Sequence, residues 1–117
     1  MGFSIMDTPK YISNLEKNGE IYSVMNVISI PKEIEGYLNK MKTTIVYSIS
    51  KIDYIDTTIK YNEKIYKTAQ GFYIYLSLRE VGTHAGLTIY YKQEQQNEMS
   101  LFVGQLLKQF KNATVNV

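Results

Sequence analysis

Between Gly71 and Glu94 the chain reads GFYIYLSLREVGTHAGLTIYYKQE, and this stretch narrows the folds open to it more than any other. Successive side chains of a strand point to opposite faces, so a period of two marks the side that a sheet buries. Phe72, Ile74, Leu76 and Leu78 fall on one side, and Tyr73, Tyr75, Ser77 and Arg79 on the other. The first set is the better candidate for the covered face, and the tyrosines read as a wet one. Beyond the Gly82–Thr83–His84 connection, Leu87, Ile89 and Tyr91 continue the covered surface on the next strand, 87–92.

What covers it is legible further on. Met99, Phe102, Val103, Leu106, Leu107 and Phe110 recur at i, i+3, i+4, i+7, the stripe of an amphipathic helix. After a polar loop over 93–97, Asn97 supplies a cap. Glu98 near the start and Lys108 and Lys111 near the end suit the helix dipole. Laying this stripe on the apolar face buries side chains worth roughly 1.5–3 kcal/mol each.

The rest of the chain is read from the same periods. Gly2–Met6 suits a short strand. Asp7 or Thr8 caps a helix over about Pro9–Lys17, which stops at Asn18–Gly19. Residues 20–30 read as a strand with Val24 and Ile30 on one face and Met25 and Val27 on the other. Residues 33–42 fit a helical stripe through Ile34, Tyr37, Leu38 and Met41 and a strand through Ile34, Gly36 and Leu38. A hairpin connection over 29–33 tips the reading to strand. Thr43–Ser50 alternates, with Ile45, Tyr47 and Ile49 on one face. Residues 53–61 suit another strand, Asn62–Glu63 a turn, and Ile65–Leu78 one long strand bent at Gly71. The tail ATVNV is expected to fray.

Composition removes whole classes of function. At 117 residues a single domain over 1–117 is expected, long enough to bury a core. Without cysteine there are no disulfides, zinc–thiolate sites or iron–sulfur clusters, which fits a reducing cytoplasmic setting. One histidine and scattered carboxylates make a poor metal set, and no cofactor is expected. The first residues lack the pattern of a signal peptide, and no apolar run is long enough for membrane insertion. Thirteen basic against 11 acidic residues, interleaved, give no footprint for nucleic acid. Eleven tyrosines fit a strand-rich chain and offer Tyr73, Tyr75 and Tyr90 as exposed interface residues.

The order of elements resembles the helix-grip fold of the START-like, Bet v 1-like (SRPBCC) superfamily. GFYIYLSLREVGTHAGLTIYYKQE resembles that family's last two strands, a Gly-led strand followed by a Gly-Thr turn and a second alternating strand. DTPKYISNL resembles its first helix, beside a proline. Within the superfamily the chain is most similar to small uncharacterised archaeal members and to the G-type subunits of carbon monoxide dehydrogenase. The resemblance implies an α+β fold, a curved antiparallel sheet of about six strands wrapped on a long C-terminal helix, with a shortened N-terminal helical region. It also implies a lipid-like or polyketide-like molecule held between sheet and helix. Phe72, Ile74, Leu76, Leu87, Ile89, Tyr91, Phe102, Leu106 and Phe110 match the lining positions, and Tyr47 and Tyr91 would supply polar contacts.

Two functional readings stay open: a non-catalytic site for an apolar small molecule, or a structural or interaction domain, homodimeric in one version, whose core is simply filled. Catalysis is the less supported alternative. His84 has no triad partner set by spacing, Asp53 and Asp56 do not share a strand face, and Glu33 and Glu35 resemble any solvated pair.

Overall fold

The computed structural model describes residues 8–21, 23–52 and 55–115. In chain order these form α1 (Thr8–Lys17), β1 (Ser23–Pro31), α2 (Ile34–Lys40), β2 (Thr43–Ile52), β3 (Lys60–Thr68), β4 (Tyr73–Arg79) and β5 (His84–Tyr91). A 3-10 turn, Gln93–Gln95, then leads into α3 (Gln96–Gln109) and the two-residue strand β6 (Thr114–Val115). The strands make one antiparallel sheet in the order β2-β3-β4-β5-β1-β6. The curved sheet wraps around the long α3, which is a helix-grip architecture. The expected strand Gly2–Met6, the Asp7 cap and Asp53 lie outside the described residues.

Ile74, Leu76 and Leu78 of β4 face α3, together with Phe72 just before the strand. They join Tyr66, Leu87, Ile89, Met99, Phe102, Val103, Leu106 and Phe110 in one core. Phe72 and Phe102 meet with ring centroids 5.7 Å apart. The alternation in Gly71–Glu94 and the helical stripe therefore meet as their periods require, except that Leu107, expected in the stripe, is left 40% exposed.

The segment 33–42 is helical, not a strand. Ile34 and Leu38, one helical turn apart, are both fully buried in this core, and Tyr37 packs edge-on to Phe110 with centroids 5.7 Å apart. Gly36 sits on the exposed side, where an added Cβ would meet nothing within 4 Å. It marks the solvent face of α2 and does not break the helix. With α1 before β1 and α2 after it, the N-terminal half holds two helices, on opposite sides of the sheet.

The tyrosine side of β4 is not wet. Tyr73 is buried, and Tyr75 and Tyr90 are half-buried. α1 lies over them, with Leu15, Ile21, Ile65 and Tyr73 forming a second core edged by Tyr11, Ile12, Val46 and Tyr47. Gly19, at φ +73°, ends α1 as its left-handed backbone requires, and Glu20 N–H donates to Leu15 O at 2.9 Å.

Other expectations need correction where irregular backbone interrupts the period of two. A register shift between Val27 and Ile30 puts both in the α3-side core, so they share a face. A second shift, between Ile45 and Tyr47, leaves Ile45 opposite Tyr66 and Tyr47 opposite Ile65, on opposite faces. Residues 65–78 are two strands, not one bent strand. The chain reverses at 69–72, with Gly71 at φ +97°. Asn62 and Glu63 lie inside β3, and the turn falls earlier, where Asp56 Oδ1 accepts from Thr58 N–H at 3.0 Å and from Thr58 Oγ1 at 2.6 Å. β5 begins at His84, three residues before the expected start, and part of the tail pairs with β1 as β6.

The α3 stripe sets the stability of this arrangement. Leu106→Ala, at a fully buried position, is expected to cost about 2–5 kcal/mol, whereas Leu107→Ala, 40% exposed, costs under about 1 kcal/mol. Urea unfolding of the two variants checks this, and equal losses would contradict the packing described.

Candidate functional site

The residues expected to line a pocket divide between two faces. Phe72, Ile74, Leu76, Leu87, Ile89, Phe102, Leu106 and Phe110 come together in the α3-side core, and Tyr91 packs at its margin. Tyr47 does not join them. Opposite Ile65 and packed at a tilt against Tyr11 with centroids 4.9 Å apart, it belongs under α1. Within the core, Ile30, Ile34, Leu38, Tyr66, Ile74 and Ile89 are all at 0% exposure, so the side chains themselves fill the space between sheet and helix.

One opening on this side lies at its edge. A groove of about 210 Å³ runs between the first turns of α3 and the β3–β4 turn, lined by Met41, Gln70, Phe72, Glu98, Leu101, Phe102 and Gln105. Gln95 fixes the two walls to each other. Its Oε1 accepts from Lys92 N–H at 2.8 Å, and its Nε2 donates to Gln70 O at 3.1 Å. A Cβ on Gly71 would come within 3.0 Å of that Nε2, so glycine serves both the reversal and the close approach of the helix start. Leu101, 69% exposed, presents its side chain to solvent beside the Phe72–Phe102 pair. Close by in sequence, the buried Thr68 hydroxyl has no hydrogen-bond partner among the described residues.

A second cleft, about 460 Å³, opens between α1 and the sheet and is lined by Thr8, Pro9, Ile12, Lys51, Glu63, Tyr75 and Tyr90. The sequence reading missed its chemistry. Glu63, expected in a turn, is a buried carboxylate on β3. Its Oε1 accepts from Thr8 Oγ1 at 2.6 Å and pairs with Lys51 Nζ at 2.9 Å, and its Oε2 accepts from the Tyr75 hydroxyl. Burial pushes this carboxyl up, but the bonds from Thr8, Tyr75 and Lys51 outweigh it and hold the group below its ordinary value. The bond to Glu63 raises Lys51. Burial first, and then the Glu63 bond, push the Tyr75 hydroxyl well above its usual range. Tyr73 is raised in the same way by burial and its 2.8 Å bond to Glu20 Oε1, and Tyr90 by burial and the charges of Glu16 and Glu63. The signal that could have found the cluster is the phase of β3: Glu63 and Ile65 share a face, so once Ile65 is covered Glu63 is drawn toward cover as well.

Chemically, the cluster holds a carboxylate charged and a phenol protonated, each moved away from neutrality. That suits a fixed tie between α1 and the sheet more than proton exchange near pH 7. The other candidates for chemistry are scattered. His84 is exposed, with Thr83 Oγ1 at 2.8 Å from Nδ1; Glu35 pairs with Lys64 at 2.6 Å; Glu33 and Asp56 are exposed. Among the described residues no group of three or more His, Asp or Glu side chains is placed to hold a metal ion. No helix among them is long and apolar enough to cross a membrane.

Comparison with protein-family models, with curated proteins and with solved structures finds no match to this chain. The helix-grip assignment therefore rests on the order of elements and the packing described above.

The tie through Glu63 has a pH signature. Its folded-state value lies below the ordinary 4.5, so its contribution is fully present above that value and is lost as pH falls through the lowered one. Glu63→Gln is expected to cost about 1–3 kcal/mol at neutral pH, and the gap to the wild type should close on acidification. Denaturant titrations at a series of pH values check this. A gap that stays constant into acid would show that the carboxylate does not anchor α1.

Proposed function

We propose that this protein is a non-catalytic binding module for a small apolar molecule, lipid-like or polyketide-like, taken up at the mouth between α3 and the β3–β4 turn. The observation that carries the reading is the exposed Leu101 beside Phe72 and Phe102 in an open groove. An apolar wall with a few polar groups at its rim, here Gln70, Glu98 and Gln105, is the usual make-up of such a site. The resemblance to helix-grip proteins, including the small archaeal members and the G-type subunits of carbon monoxide dehydrogenase, supports the same use of the fold. Because the interior behind the mouth is packed, the ligand lies against the groove and reaches inward only by displacing Phe72 or Phe102. The non-catalytic part of the reading is supported by the dispersal of His84, Glu33, Glu35 and Asp56 and by the shifts of Glu63 and Tyr75 away from neutrality.

A second reading is favoured by the fully buried side chains of the core: an interaction domain that takes no ligand. Titration with an environment-sensitive apolar dye separates the two. Saturable binding that weakens by at least about tenfold, or roughly 1.4 kcal/mol, in Leu101→Glu is expected for the groove. The substitution is on the surface, so unfolding of the protein does not confound it. Absence of saturable binding, or binding indifferent to Leu101→Glu, would overturn the groove and leave the interaction reading.

A further inference from the structure

β2 ends the sheet with a strand of ten residues, Thr43–Ile52, and among the described residues only β3 pairs with it. At about 3.4 Å per residue its outer side is an edge without a second described strand, some 34 Å long and nearly the 40 Å length of the molecule. Exposed edges are commonly blunted by charges, prolines or brevity. The sequence TTIVYSISKI carries one charge, Lys51, and no proline. Its blunting feature is the bulge between Ile45 and Tyr47. Two of the large hydrophobic side chains left exposed lie on this strand, Ile45 at 48% and Ile52 at 58%.

The faces of these residues select an occupant. Pairing with β3 puts Ile45, Ser48, Ser50 and Ile52 on the α3 side, opposite Tyr66, Lys64, Asn62 and Lys60. It puts Tyr47, Ile49 and Lys51 on the α1 side, opposite Ile65, Glu63 and Tyr61. Residues opposed across an antiparallel pair must share a face. If a second β2 is laid antiparallel with Ile49 on a two-fold axis, Ser48 meets Ser50 and Tyr47 meets Lys51. The bulge then absorbs Val46, and Ile45 meets Ile52. Every pair shares a face in this register, and the two exposed isoleucines cover each other twice. The single cation faces a tyrosine and never its own copy. A register moved by one residue would oppose side chains of different faces.

We propose that the outer edge of β2 is a self-pairing surface, and that two copies of this chain join there into one continuous sheet with Ile49 on the axis. The interface is isologous, as two-fold contacts are, and leaves the α3 groove outside the pairing. Its failure and that of the groove reading are therefore separately visible.

The chain has no cysteine, so single cysteines report on this register cleanly. Opposed residues of an antiparallel pair have Cα atoms about 4.5–5.5 Å apart, within reach of a disulfide. Under mild oxidation Ile49→Cys is expected to link two chains, and Ser48→Cys and Leu101→Cys are not. In sedimentation, the full chain is expected to form a dimer that Ile45→Lys weakens by at least about tenfold, with Leu101→Lys as an unaffected control. A chain that stays monomeric at about 100 μM, well above the range of a micromolar contact, overturns the proposal, even if the edge captures an extended peptide of another protein. A dimer indifferent to Ile45→Lys, or linked through Leu101→Cys, overturns it too by placing the contact elsewhere.

Discussion

The structure depends on burying β4 on both faces. Ile74 and Leu76 lie under α3 while Tyr73 and Tyr75 lie under α1, so one strand carries two cores whose side chains alternate along seven residues. A strand covered on both sides has little freedom of register, because a slip by one residue would exchange the two sets of side chains. Each neighbour inherits the constraint. β3 must place Tyr66 with Ile74 and Ile65 with Tyr75, and β5 must place Ile89 with Ile74 and Thr88 with Tyr75.

The two covers differ in kind. The α3 side is closed by long apolar side chains and by α2, and its polar groups stay at the margin, as where the Tyr66 hydroxyl donates to Asn39 Oδ1 at 3.2 Å. α1 is ten residues long, with Leu15 the one apolar side chain it buries among the described residues. Such a helix cannot seal a sheet face through oil alone. Tyrosine meets the shortfall: its ring covers area and its hydroxyl reaches a polar partner. Tyr73 to Glu20, Tyr75 to Glu63 and Tyr11 to Val46 O are three instances.

How much of this was legible in the sequence follows from the same division. The α3 stripe and the alternation in β4 and β5 were readable because each is a regular period with a large apolar payload, and they sufficed for the fold class and for most of the α3-side residues. α2 was misread because the short segment 33–42, with a glycine inside it, fits two periods. Only the partners of Ile34 and Leu38 decide between them. The faces of Val27, Ile30 and Tyr47 were misread because a bulge leaves no mark in a pattern of hydrophobicity but inverts every side chain beyond it. The covering of Tyr73 and Tyr75, and with it the Glu63 cluster, was hidden because a tyrosine-lined face reads the same whether it meets water or a helix.

The two covers also place the openings. Where apolar packing runs to completion, as behind Ile74 and Leu76, room is left at the margin, where the β3–β4 turn and the start of α3 diverge around Phe72 and Phe102. Where a short helix covers a wide face, room remains beneath it, and the cleft at Glu63 is that remainder, held open by a carboxylate whose bonds would be lost if the walls collapsed. On the other face of the outermost strand α3 gives no such cover, and Ile45 and Ile52 stay exposed there. The groove, the tie and the bare edge thus have one origin: among the described residues, three helices of 10, 7 and 14 residues are too few to cover both faces of a six-stranded sheet, and the places they leave bare are where other molecules can meet it.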